Sequence, residues 1–381
     1  LNKKLIISAI AVVAIVGGIY TKNSIAKSKF EQGVQKEVAK DNSIKSIDGD
    51  YFCNGIFTTE CGIDNLKMVI TNRKSAYRKS NDIILTAKSI EIDNIAAANK
   101  FSSIKSTEPI DVLKGLMDIN DNYTFNIKGL KFSVNDNNED FIKKLKQQAK
   151  NDFSKNDYDF FEKLVNLYED NGLNISSYIS IDDNAVLSST SDINGFGLSF
   201  GFESVLNLKK DDIKNANRYT IINSLLSTKI SAFSLKAETL DYSVPELAAF
   251  LLKLPNQKSK YKQRRFERKL KRLGINSNFK DFSEDDIKNF FNSDNGKNTL
   301  NKMTIQIENN INMFIRDKKT NEYIHDLLKD VNEKFSALGR GKDDSLKVTL
   351  STNNKTIQEL LNEIQTKGNL DLKDSLNISI K

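Results

Sequence analysis

The residues of this chain that could do chemistry are few, and their spacing argues against most reactions. One histidine, His325, is present in 381 residues. A single imidazole rules out the two-histidine zinc helix and makes any Ser-His-Asp arrangement depend on that residue. His325 falls in the segment NEYIHDLLKD, on the polar flank of a helical pattern, where a solvated histidine is expected. Acidic clusters at Asp182-Asp183 and Glu284-Asp285-Asp286 have the makings of an acid–base pair. Ser283 ahead of the second cluster instead marks a helix N-terminus, where carboxylates offset the dipole. Asp118-x-Asn120-x-Asn122 opens like a calcium loop, then lacks the glycine and the glutamate that complete one. No catalytic residue, no cofactor and no metal site is expected.

Three other segments carry a chemical expectation. Cys53 and Cys61 are the two cysteines, separated by NGIFTTE. An even count, close spacing and β-forming residues between them favour a disulfide across a short hairpin. The spacing lacks the two-residue interval of redox and zinc motifs, and no histidine is near. The segment GFGLSFGF, Gly195 to Phe202, misses the dinucleotide fingerprint. Read as a strand, it sets Phe196, Leu198, Phe200 and Phe202 on one face and only Gly197, Ser199 and Gly201 on the other. Such a strand is either an ordinary core strand in a bent sheet or a wall of an apolar groove. The run KSKYKQRRFERKLKRL, Lys258 to Leu273, holds nine cations and one glutamate. Phe266, Leu270 and Leu273 follow helical spacing, which makes it a cationic amphipathic helix. Lys262, Arg264, Arg265, Arg268, Lys269 and Arg272 are its candidates for contact with an anionic surface.

The elements that must position these residues begin with a leader. Lys3 and Lys4 precede an uncharged run from Leu5 to Tyr20, and Lys22 follows it. This is the layout of a secretory signal or a single membrane anchor with the remainder exported. The run is sixteen residues, about 24 Å as a helix against a hydrocarbon core of about 30 Å, so spanning relies on snorkelling by the flanking lysines. The alternative is cleavage after Ala26, where Ser24-Ile25-Ala26 has the small-x-small form. A start at Leu1 fits a non-AUG bacterial start codon read literally, so a bacterial envelope is the expected setting.

The composition is polar but globular, with 39% hydrophobic residues and a mean hydropathy of −0.46. A formal charge of +7 is read as a lysine-rich solvated surface, and an exported chain rarely meets nucleic acid. Period-two alternation at Tyr123, Phe125 and Ile127, then at Leu130, Phe132 and Val134, predicts strands buried on one face. The same alternation predicts strands at Ile305, Ile307, Ile311, Met313 and Ile315 and at Leu376, Ile378 and Ile380. Three segments from Leu130, Leu235 and Leu346 each pass from a Leu-Lys strand through a polar turn into an amphipathic helix. Ser243 with Glu246, and Thr356 with Glu359, are placed to close capping boxes. A related helix is expected at Ile324, Leu327, Leu328, Val331 and Phe335.

The opening lysines, the Ile/Val/Ala core, GGIYTK from Gly17 and the polar helix at Phe30-Glu31 resemble the anchor of the YdgA-type family of bacterial envelope proteins. The strand, Asn/Asp turn and helix units are similar to those of AsmA-like proteins. The resemblance implies an inner-membrane anchor, a curved β-rich periplasmic body and, for the AsmA-like group, lipid handling.

The expected fold class is therefore α+β: an N-terminal transmembrane helix, then a mostly antiparallel, curved sheet body with packed amphipathic helices. Residues 1–22 are the anchor or signal segment and 23–42 a polar helical stalk. Residues 43–217 form a first strand-rich part and 218–381 a second strand–helix part. The expected function is non-catalytic apolar-ligand or lipid handling by an inner-membrane-anchored periplasmic protein. Its partners would be the membrane, a lipid and other envelope proteins, with no nucleic acid. An envelope scaffold, or a hydrolase or transferase with an unrecognised site, are the alternatives.

Overall fold

Alternating apolar residues dictate most of the strands in this protein, and the positions where alternation changes phase turn out to be its bulges and turns. The computed structural model describes residues 26–40, 43–54, 60–71, 82–102, 111, 114–115, 117–135, 141–217, 219–257, 259–312, 318–353, 355–367 and 375–381. In chain order the elements are α1 (Ala26–Lys40), β1 (Ile44–Asn54), β2 (Glu60–Ile70), β3 (Asp82–Asp93), α2 (Ile95–Ser102), β4 (Asp121–Asn135), α3 (Phe141–Asp152), α4 (Lys155–Asn171), β5 (Leu173–Ile181), β6 (Val186–Gly195), β7 (Leu198–Asn207), α5 (Lys210–Lys214), α6 (Ile221–Leu226), β8 (Lys229–Thr239), α7 (Val244–Lys253), α8 (Lys260–Arg272), α9 (Glu284–Asn292), α10 (Asp294–Asn312), α11 (Lys318–Gly339), β9 (Ser345–Ser351), α12 (Ile357–Lys367) and β10 (Asn377–Ile380). Among the described residues, ten strands form one sheet in sequence order, β1 through β10. The chain groups into two units, residues 1–145, 166–196 and 203–228, and residues 146–165, 197–202 and 229–381.

In the first unit, strands β1 to β5 turn their apolar positions to a single face. Ile63, Met68, Leu85, Ile90 and Ile92 are at most 1% exposed there. Phe30, Val34 and Val38 of α1, spaced i, i+4, i+8, close over them in the same core. Phe30 meets Tyr51 edge-to-face at 6.0 Å, and Gln35 Nε2 donates to the Tyr51 hydroxyl at 3.2 Å. Each such large apolar side chain contributes roughly 1.5–3 kcal/mol by leaving water. Strand β4 shows why its alternation breaks between Ile127 and Leu130. Against β5 its register shifts by one residue there, a bulge that returns Leu130 and Phe132 to the face of Phe125 and Ile127. Gly129 sits in the bulge at φ +64°. A Cβ on Gly172, the residue just after α4, would lie 2.6 Å from the Gly129 carbonyl carbon, so both positions need glycine.

The second unit joins strands to a helical cluster with its own core. Strand β8 pairs antiparallel with β9 and β9 with β10. Tyr323 of α11 accepts a hydrogen bond from the Ile378 amide at 3.1 Å, satisfying an edge N–H of β10 that no strand pairs among the described residues. Helices α7, α8 and α9 bury Ala249, Phe266, Leu270 and Ile287 together with Phe279 and Phe282. Lys253, only 2% exposed, reaches Asp157 Oδ1 at 2.5 Å and the Phe282 carbonyl at 2.9 Å. Asp157 also accepts from Ser154 Oγ at 2.6 Å and Gln257 Nε2 at 3.1 Å. A buried pair is tolerated only when its remaining hydrogen-bonding capacity is met in this way.

The antiparallel α+β body is as expected, but the transmembrane helix is corrected. Among the described residues no helix is long and apolar enough to cross a membrane. The longest, α11, runs 22 residues but carries charged side chains throughout, and a charged helix cannot enter hydrocarbon. The segment 1–22 lies outside the described residues. The region read as a stalk contains α1, whose apolar row is buried in the first core. The strand expected at Ile305 and Ile307 is also corrected, because those residues lie in α10. Leu300, Thr304, Glu308 and Ile311 are its more covered positions, at helical intervals, while Met303, Ile305 and Ile307 are 56%, 54% and 45% exposed. Their alternation was therefore coincidental. Met313 and Ile315 lie outside the described residues. The three strand–turn–helix segments are found as β4–α3, β8–α7 and β9–α12, with 136–140 outside the described residues. Thr356 and Glu359 close the expected box, the Thr356 amide donating to Glu359 Oε2 at 2.7 Å and the Glu359 amide to Thr356 Oγ1 at 3.1 Å. Ser243 caps α7 through the Glu246 amide at 3.2 Å, but the Glu246 carboxylate turns to Lys163 at 3.9 Å and leaves that box open.

Candidate functional site

Within the second unit, one face of the sheet is lined by apolar side chains that remain open. The register pairs Phe233 with Leu350 and Leu235 with Val348, and pairs Leu350 with Ile378 and Val348 with Ile380. Directly opposed residues share a face, so these side chains form two parallel rows across β8, β9 and β10. Phe202 of β7 meets Phe233 edge-to-face at 5.5 Å and extends the first row. Phe200, two residues away, lies on the same face. Phe200 is 48%, Leu235 49% and Phe202 36% exposed, while Phe233, Val348, Leu350, Ile378 and Ile380 are half-buried. The usual antiparallel pattern, apolar in and polar out, is reversed on β8. Ser234 is buried there and its neighbour Leu235 is exposed. On the polar face Thr349 and Ser379, paired across β9 and β10, hydrogen-bond at 2.7 Å.

Of the expected groove residues, Leu198, Phe200 and Phe202 lie on β7. Phe196 does not. It and Gly197 form the two-residue turn between β6 and β7, at φ +56° and +74°. A two-residue hairpin with positive φ matches strand twist, so the break falls inside the segment read as continuous strand. Phe196 stacks on Tyr168 at 4.7 Å with rings 3° from parallel. Phe233, Leu235, Val348, Leu350, Ile378 and Ile380 were not nominated from sequence. The signal for them was alternation in β8, β9 and β10, but which strands lie side by side, and in what register, is a tertiary fact.

The residues that could do chemistry are engaged otherwise. Cys53 and Cys61 oppose each other across β1 and β2 and are disulfide-bonded, with Cα atoms 4.1 Å apart. His325 Nδ1 lies 3.3 Å from Glu308 Oε2, its side chain 61% exposed. Lys214 pairs with Asp118 at 2.7 Å, and its hydrogen bond and charge hold that carboxyl below the usual range. Asn120 donates to Asp183. Burial alone would raise Asp121, but hydrogen bonds from Lys100, the Asn122 amide and Asn94 leave it lowered. Glu284 is likewise raised by burial and more than offset by Ser243 and Lys288, and Asp286 Oδ2 accepts from the Ser283 amide at 3.0 Å as a cap. A general acid needs a carboxyl pushed upward; Asp118, Asp121 and Glu284 are pulled downward by cations and donors. Among the described residues no group of His, Cys, Asp and Glu is arranged to hold a metal ion.

The cationic segment forms helix α8, with Phe266 and Leu270 buried. Lys262, Arg264, Arg265, Arg268, Lys269 and Arg272 are all exposed. Arg264 and Arg268 line an open cleft with Lys271, Tyr261 and the loop Asn276, Ser277 and Asn278. Lys271 was not among the nominated cations.

No protein-family model matches this chain, and no curated protein matches it.

Proposed function

We propose that the protein handles an apolar ligand of the acyl-chain class, without catalysis, in the bacterial cell envelope. The observation that carries this reading is the open apolar face of the second unit, with Phe200, Phe202 and Leu235 each more than a third exposed. A contiguous apolar surface left in water is costly, and it persists where something binds to it. Strands lie about 4.8 Å apart, so rows crossing β7 to β10 extend about 14 Å between outer strand axes, a length suited to a hydrocarbon chain. The Cys53–Cys61 bridge supports an oxidising compartment, and the likeness to YdgA-type and AsmA-like proteins supports an envelope setting.

Native mass spectrometry of the full chain purified from its cells is the test. A retained lipid is expected in the wild type and its loss in Phe200→Asp, with circular dichroism unchanged. A wild type that never carries lipid, or global unfolding of Phe200→Asp, ends this reading.

A further inference from the structure

The whole chain carries a formal net charge of +7. Helix α8 alone holds eight cations and one glutamate in thirteen residues, which is the same +7. The rest of the chain is neutral on balance, so its basic character is one helix and not a diffuse lysine-rich surface. The placement of its side chains defines what that helix can do. Phe266 packs edge-to-face on Phe279 at 5.7 Å and on Phe282 at 5.3 Å, and Leu270 is 4% exposed. The apolar stripe is therefore occupied and cannot insert into a bilayer in the manner of an amphipathic surface helix. The single acid, Glu267, accepts from the Phe279 amide at 2.9 Å and serves the fold. The ion pairs found among the described residues include no side chain of α8. At 100° per residue the cations sweep about half the helix circumference, from Arg264, Arg268 and Lys271 at the cleft to Lys262, Arg265 and Lys269 beyond it.

We propose that α8 seats the protein on an anionic bilayer surface by charge alone. A single anion would be served by a few converging cations. A plane of many phosphate headgroups is the partner that a broad array complements, each cation near such a surface strengthening binding about fivefold. The inference does not depend on the apolar face, and the two separate by salt. Attraction of this kind weakens as the screening length shrinks from about 10 Å at 0.1 M to about 3 Å at 1 M, whereas apolar contact does not.

The test labels amines of the full chain and reads Lys262, Lys269 and Lys271 by mass spectrometry. The chain is mixed with phosphatidylcholine vesicles, with and without 30% phosphatidylglycerol. Protection of these lysines by anionic vesicles at low salt, lost at 1 M salt and absent with neutral vesicles, is the expected result. The variant R264Q/R265Q/R268Q keeps the reporter lysines and should need on the order of 100-fold more anionic lipid for the same protection. Equal protection by neutral vesicles, protection that survives 1 M salt, or an unchanged variant would each overturn the proposal. Phe200→Asp should leave this protection intact, so failure of the lipid-retention experiment and failure of this one are distinguishable.

Discussion

The first and second units are built from the same kind of strand, yet they treat their apolar faces differently. In the first, Ile63, Met68 and Ile90 are fully covered, with Phe30 and Val34 of α1 closing over them. In the second, the rows through Phe202, Phe233, Leu350 and Ile378 and through Leu235, Val348 and Ile380 stay partly in water. Its helices pack on one another around Phe266, Phe279 and Phe282. The difference teaches that alternation encodes a strand and a face, while the covering of that face is decided by a separate element. An apolar stripe becomes closed core where a helix packs fully over it, as α1 does in the first unit, and stays partly in water where the cover is incomplete.

Substitutions can break that comparison directly, and the largest effect is expected at the cover. Phe30→Ala removes the side chain that packs on Tyr51 and should destabilise the first unit by about 3–5 kcal/mol in urea denaturation. A loss below about 1 kcal/mol would mean that α1 is not a cover. Next is the Cys53–Cys61 bridge. Its short loop should contribute about 2–3 kcal/mol on the chain-entropy account, read as the drop in denaturation midpoint of Cys53→Ser/Cys61→Ser. Labelling of both thiols in native wild type without reductant would refute the bridge itself.

The counterpart on the open face is Phe200→Asp. At 48% exposure it should change stability by only about 0.5 kcal/mol, against the several kcal/mol of an acid in a closed core. The smallest effect sharpens the picture of the second unit through pH. Glu284 is held below its ordinary 4.5, so it stabilises the fold above that pH. The contribution disappears as acidification passes through its lower folded value. The thermal midpoint should therefore slope downward below about pH 4.5, and Glu284→Gln should flatten that limb slightly because the group is partly solvated. An unchanged slope in the variant would assign the acid sensitivity elsewhere.

Much of the strand content was legible because alternation is a local property. Tyr123 through Val134 even displayed their bulge as a one-residue phase slip, and the caps at Ser243 and Thr356 were readable from side-chain type. Ile305 and Ile307 misled for the converse reason. They alternate by coincidence on the exposed side of α10, while the more covered Leu300, Thr304 and Ile311 carry the helical period weakly. Phe196 was hidden by chemistry, since a bulky aromatic at positive φ is disfavoured and only Gly197 beside it signals a turn. Six of the eight residues of the candidate face escaped notice because the β8–β9 register joins residues more than a hundred positions apart, and the β9–β10 register brings in Ile378 and Ile380 from beyond an intervening helix. The concentration of net charge in α8 was countable from the outset but was averaged into a composition.

One hydroxyl carries a consequence for the crowded state of the molecule. A protein that leaves apolar rows in water is safe only if its sheet cannot also keep recruiting strands. Strand β10 is four residues long, and Tyr323 takes up the Ile378 amide that a neighbouring copy would otherwise seize. The phenol thus acts as a terminator of sheet growth. Tyr323→Phe, nearly silent in dilute solution, should appear as light scattering that rises steeply with concentration, and scattering equal to wild type would deny it that role.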